Sequence, residues 1–99
     1  MSRCFVSPTA SRDLNAIGDY FVARNIEAAE RLLREFVKKC DNLVKFPNMG
    51  RNYDGIKSGL GGVALDGYII FYRVVENGIE ILRVVSGFQD LEAMFPDEN

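Results

Sequence analysis

Between Asn25 and Pro47 apolar residues return every three or four positions, at Ala29, Leu32, Leu33, Phe36, Val37, Cys40, Leu43 and Val44. That spacing is the mark of an amphipathic helix with one face committed to a core. Asn25 is suited to cap its start, and Pro47 stops it. Glu27 and Glu30 lie in its first turns, and Lys38, Lys39 and Lys45 gather towards its end, an order that complements the helix dipole. Glu27–Arg31, Glu30–Arg34, Arg31–Glu35 and Glu35–Lys39 are spaced as i,i+4 pairs on the wet face.

The segments on either side supply what this helix packs with. Ser7-Pro8 opens an earlier helix, with serine as cap and proline at the first helical position. Ala10, Leu14, Ile17 and Phe21 recur along it at helical spacing, and it ends near Arg24-Asn25. So short a gap makes the two helices an antiparallel hairpin. Arg3 to Ser7 reads as a first or edge strand. The stretch from Phe46 to Gly59 holds Pro47, Gly50, Gly55 and Gly59 and reads as a loop, and Leu60 to Leu65 as a strand diluted by Gly61 and Gly62.

Asp66-Gly67 and Asn77-Gly78 then have the composition of two-residue hairpin turns. They delimit Tyr68–Val75 and Ile79–Val85, both rich in β-branched and aromatic residues, so three strands form a meander. With a two-residue turn at Asn77-Gly78, Val74 faces Ile81, Tyr72 faces Arg83, Phe71 faces Val84, and Arg73 and Arg83 point to opposite faces. The expected fold is α+β, in the order β-α-α-β-β-β, with a helical hairpin packed on a small antiparallel sheet. One domain spans residues 1–95, followed by an acidic, flexible tail at 96–99. The last two strands are apolar on both faces. One face covers the helices, and the other is expected to lie open to a partner segment.

The 99-residue chain has room for one core, and 47% hydrophobic residues suffice to build it. Cys4 and Cys40 sit in apolar patterns; they read as two reduced core thiols in preference to a disulfide. No signal peptide and no membrane-length apolar run is evident, so the expected location is the cytoplasm. The net charge of −2 argues against a surface built to cover phosphates, and so against direct sequence-specific DNA binding.

Histidine is absent, which excludes His-based metal sites and Ser-His or Cys-His catalysis; no cofactor or metal site is expected. Gly59-Leu60-Gly61-Gly62 lacks the lysine and following helix of a phosphate loop and reads as a bent strand or a close backbone approach. Asp13, Asp19, Glu27, Glu30 and Glu35 read as solvated helix-face carboxylates. Arg83 has two readings, pairing with a carboxylate of its own chain or gripping one on a partner. Tyr68 and Tyr72 read as core residues with hydroxyls at the rim.

Several pieces recur together in a known order. They are Ser7-Pro8, Ala10, Asp13-Leu14, Ile17 and Tyr20; Arg24-Asn25 with Glu27-Ala28-Ala29; Leu43 with Phe46-Pro47-Asn48-Met49-Gly50-Arg51; Tyr68-Ile69-Ile70-Phe71-Tyr72-Arg73; Ile81-Leu82-Arg83-Val84; and Asp90-Leu91. In these the chain resembles the ParE branch of the RelE/ParE toxin superfamily, from bacterial type II toxin–antitoxin pairs. The resemblance implies a toxin that inhibits DNA gyrase by binding. A cognate ParD-like or other antitoxin, whose C-terminal segment folds as it wraps the toxin, would form a hetero-oligomer with it. The alternatives are a RelE-like mRNA endoribonuclease and an attenuated toxin-fold protein acting only in complex formation and co-repression.

Ribonuclease members tend to carry an arginine beside the tyrosine of the third strand, an arginine after the last strand and a tyrosine near the C-terminus. The matching positions here are Ile69, Gln89 and Phe95, which offer neither a general acid or base nor positive charge. Many ParE-like relatives have a histidine before the glycine that ends the last strand, where this chain has Ser86. A binder is therefore favoured over an enzyme. Candidates for contact with target or antitoxin are Arg51, Arg73, Arg83, Tyr68, Tyr72, Phe88 and Asp90.

Overall fold

The computed structural model describes residues 2–87 together with Leu91, Ala93 and Phe95. Phe88, Asp90 and the expected tail at 96–99 lie outside the described residues. The elements are β1 (Arg3–Val6), α1 (Pro8–Val22), α2 (Ile26–Lys45), β2 (Arg51–Asn52), β3 (Gly61–Leu65), β4 (Tyr68–Val75) and β5 (Gly78–Ser86). They form one sheet in the order β1-β5-β4-β3-β2, with the helical hairpin on one face.

The local signals form the elements they predict. Ser7 Oγ accepts a hydrogen bond from the Ala10 amide at 3.1 Å and caps α1. Asn25 Oδ1 accepts from the Glu27 and Ala28 amides at 3.0 and 3.2 Å and caps α2. Asp66 and Gly67 both take positive φ, 47° and 87°, as a tight hairpin turn requires. The helix-facing core joins Leu32, Phe36, Cys40 and Leu43 of α2 to Ile70, Ile79, Ile81 and Val84 of the sheet.

Four features differ from the sequence reading. First, the α+β order holds, but the sheet is mixed and five-stranded. β1 pairs with β5 in parallel, and Arg51–Asn52, read as loop, adds a short edge strand to β3. No turn joins β1 to its neighbour, so local chemistry does not set its direction.

Second, the last turn is centred on Glu76-Asn77, with Val75 opposite Gly78. Gly78, at φ 143°, lies so close to the Arg3 backbone that a Cβ there would collide with it. The glycine thus serves the approach of β1, and the register moves accordingly: Val74 faces Ile79, Tyr72 faces Ile81 and Ile70 faces Val84. Because Ile81 opposes Tyr72 while Arg83 opposes Phe71, Leu82 is an inserted bulge residue. The bulge changes the phase of the strand, so Ile79, Ile81 and then Val84 face the helices.

Third, the second face of the sheet is covered by the chain itself. Phe71, Val85 and Leu60 are buried there against Tyr53, Ile56, Ile69, Leu82, Leu91 and Phe95. The apolar residues expected to await a partner segment are already under cover. Fourth, the expected i,i+4 ion pairs of α2 do not close among the described residues. Lys38 Nζ stands 4.0 Å from Glu35 instead, an exposed pair of little energetic weight.

Candidate functional site

Where α1 crosses β5, the capping serine also locks strand to helix: the Ser7 amide donates to the Ile81 carbonyl at 3.0 Å, and its hydroxyl donates to the Leu82 carbonyl at 3.1 Å. Beyond that point β1 has ended, and the β5 backbone has an open edge. Asp13, one turn into α1, closes it. Its carboxylate accepts from Arg83 Nε at 2.8 Å and Arg83 Nη2 at 3.1 Å, and from the Val84 amide at 2.9 Å. The pair is largely shielded, with side-chain exposures of 23% for Arg83 and 16% for Asp13. This two-pronged bond to Asp13 raises the Arg83 pKa above its already high ordinary value, so the guanidinium stays charged.

Asp13 is therefore an anchor and not a solvated helix-face carboxylate, and the first of the two readings of Arg83 is the one the fold realises. The pair stands at the wall of an open cleft of about 370 Å³ that is also lined by Ile17, Tyr20, Tyr68 and Ser86. Tyr68 meets Phe21 edge-on at 6.4 Å within the same layer.

Tyr72 is buried, and its hydroxyl is fully engaged. It donates to the Pro47 carbonyl at 2.8 Å and accepts from the Gly50 amide at 3.1 Å. Gly50 and Gly61 flank its ring so closely that a Cβ on either would strike it. Tyr72 thereby ties the loop after α2 to the sheet. Beside it lies a cleft of about 280 Å³ lined by Arg51, Asn52, Asp54 and Val74. Arg51 is exposed there, its guanidinium carbon 5.7 Å from the centre of the Tyr53 ring. Arg73, on the far face from the helices, pairs with Glu80 across the strands, Nε to Oε1 at 2.7 Å.

The fold thus brings Arg83 and Tyr68 to one cleft and Arg51 and Tyr72 to another, and leaves Arg73 apart. Among the described residues no cluster of His, Cys, Asp or Glu could hold a metal ion, and no helix is long and apolar enough to cross a membrane.

The exposed apolar surface lies elsewhere than the sequence reading placed it. Ile26, Leu33 and Val37 share one side of α2 and are 59%, 51% and 57% exposed, although the last two sit within the stripe read as core. Tyr20 and Val22 extend exposed apolar surface at the hairpin tip, where the Arg24 guanidinium lies 3.7 Å above the Tyr20 ring. Phe46, Met49 and Val74 are also exposed. One signal was present in the sequence: Leu33 and Val37 each follow a core position directly, making the stripe wider than one packing surface needs.

A family profile described as the ParE toxin of type II toxin–antitoxin systems, parDE, matches residues 5–91. Among solved structures the chain is similar to one titled as the chromosomal ParDE toxin–antitoxin system of P. aeruginosa. The match has a TM-score of 0.72 and 25% identity, covering 87% of this chain and 96% of that one. No curated protein matches the sequence.

Proposed function

The chain belongs to the ParE toxin family of type II toxin–antitoxin systems, and from that premise we propose that it acts by docking, with DNA gyrase as its target and a ParD-type antitoxin as its restraint. The observation that carries this reading is the row of exposed aliphatic residues Ile26, Leu33 and Val37 along α2. A helix that folds its apolar side inward and still presents a second apolar row outward has a surface suited to a partner segment that folds on contact. We place the antitoxin's C-terminal segment on that row, with Tyr20 and Val22 at its end.

The polar groups support docking over bond cleavage. The Arg83 guanidinium is held by Asp13, and the Tyr72 hydroxyl by two backbone groups. Ile69 and Phe95, at positions where ribonuclease relatives tend to carry polar residues, pack in the second-face core. General acid–base catalysis needs a titrating group free to reach the proton it moves. Arg51, exposed beside its cleft, and Tyr68 remain the contact candidates we assign to the target.

The test is a supercoiling assay with purified gyrase. Excess toxin should abolish supercoiling and accumulate cleaved DNA, and prior addition of the cognate antitoxin should restore activity. Gyrase that keeps full activity at toxin excess defeats the target assignment. Cleaved transcripts on expression of the toxin alone would move the protein to the ribonuclease reading.

A further inference from the structure

The stretch Phe46-Pro47-Asn48-Met49-Gly50-Arg51 joins α2 to β2, and the docking reading uses only its last residue. The stretch is irregular, yet its shape is fixed. The Met49 amide donates to the Phe46 carbonyl at 3.1 Å and closes a turn. The hydroxyl of the buried Tyr72 then spans the loop, donating to the Pro47 carbonyl at 2.8 Å and accepting from the Gly50 amide at 3.1 Å. Glycine at 50 and at 61 lets the backbone lie against the ring. A loop pinned in this way has little freedom left to lose when a partner arrives.

The loop presents an aromatic ring, a thioether and cations. Phe46, at 64%, is the most exposed large apolar side chain among the described residues, and Met49 and Val74 are exposed as well. Val74 and the loop line one cleft. Lys45 and Arg51, which bracket the turn in sequence, are exposed and form no ion pair among the described residues. The carboxylate of the cleft, Asp54, accepts from the Gly59 amide at 2.8 Å. Aromatic, methionine and arginine side chains are the types enriched where proteins meet. The two unpaired cations call for an acidic group on the other side.

The aliphatic row of α2 is a separate surface. Val37 precedes Phe46 by more than two helical turns, about 14 Å along the axis. A long row suits a segment that folds onto it, whereas a short fixed loop suits the surface of a partner that is already folded.

We propose that the loop from Phe46 to Arg51 is the element with which the toxin grips its target. Phe46 and Met49 enter an apolar recess of a folded protein, and Arg51 pairs with a carboxylate at its rim. Tyr72 is the positioning residue that keeps the loop in shape. This assignment rests on the docking reading, but not on which protein is the target.

The experiment uses the full-length chain, expressed without antitoxin for growth arrest and purified for antitoxin calorimetry. Phe46→Ala combined with Met49→Ala should leave the thermal midpoint in place and cut the potency of growth arrest about tenfold or more. Arg51→Glu should do the same, and Arg51→Lys should recover part of the loss, since it restores charge without the two-pronged geometry. Tyr72→Phe removes only the hydroxyl. It should speed amide exchange at Gly50 and lower potency about fivefold. In all of these variants antitoxin affinity should stay within about twofold of wild type. The proposal is overturned if the loop variants arrest growth as wild type does, if they lose antitoxin affinity while keeping full potency, or if the wild-type chain arrests nothing. Faster exchange at Gly50 in Tyr72→Phe with unchanged potency would strip Tyr72 of its role. Failure of the gyrase assignment looks different: gyrase keeps its activity while the wild-type chain arrests growth and the loop variants do not. Transcript cleavage by the wild-type chain would defeat the docking reading itself, and the loop assignment with it.

Discussion

The two faces of the sheet are built from alternate residues of the same strands, yet they are covered in different ways. Ile70 and Tyr72 of β4 turn to the helices, while Ile69 and Phe71 turn away. On the first side the cover is regular. α2 lays Leu32, Phe36, Cys40 and Leu43 along it, and α1 adds Ala10, Leu14, Ile17 and Phe21. On the second side it is irregular: the loop residues Tyr53, Ile56 and Leu60, with Leu91 and Phe95, close over Phe71 and Val85. Phe71 is gripped edge-on by two rings, Tyr53 at 5.0 Å and Phe95 at 5.1 Å. A sheet apolar on both faces therefore does not signal a vacant docking surface, since a few loop aromatics suffice to close the second face. The outside of the helical layer, by contrast, keeps Ile26, Leu33 and Val37 exposed.

If the second face is a true core, Phe71→Ala should destabilise the protein by roughly 3–5 kcal/mol, as loss of a buried aromatic in a regular core does. Urea denaturation measures it. A loss below about 1 kcal/mol would mean that the loop cover collapses or is dispensable, and the equivalence of the two faces would fail. A smaller effect is expected at the seam of the helical face. Asp13→Asn keeps the shape of the side chain but removes the charge facing Arg83 and weakens the acceptor for the Val84 amide. It should cost about 2 kcal/mol in the same measurement, with faster amide exchange at Val84. The smallest effect on stability belongs to the outer side of that layer. Val37→Lys should change stability by no more than about 0.5 kcal/mol, yet weaken antitoxin binding at least tenfold by calorimetry. Unchanged affinity would remove the α2 row from the interface.

The contrast between the two faces also separates what could be read in advance from what could not. Periodicity is a local property, so Leu32, Phe36, Cys40 and Leu43 were identifiable as core, as were the caps Ser7 and Asn25 and the turn at Asp66-Gly67. The loop cover has no period, and nothing local tells Tyr53 that it will meet Phe71. The bulge at Leu82 hides in the same way, because its cause lies in how β5 meets β1 and α1 and not in its own neighbours. Asp13 looked like a solvent-facing carboxylate until the phase change at Leu82 brought Arg83 and the Val84 amide to it.

By itself the sequence determined the helical hairpin, the meander of β3 to β5, the lack of histidine chemistry, and the ordered set of motifs that places the chain in its family. These depend on backbone preference and spacing, which act over a few residues. Only the tertiary structure decided the parallel entry of β1, the sealing of the second face, the engagement of Arg83 by Asp13, and which apolar residues of α2 remain outside. Each of these brings together groups distant along the chain, and their pairing is selected by the packing of the whole molecule.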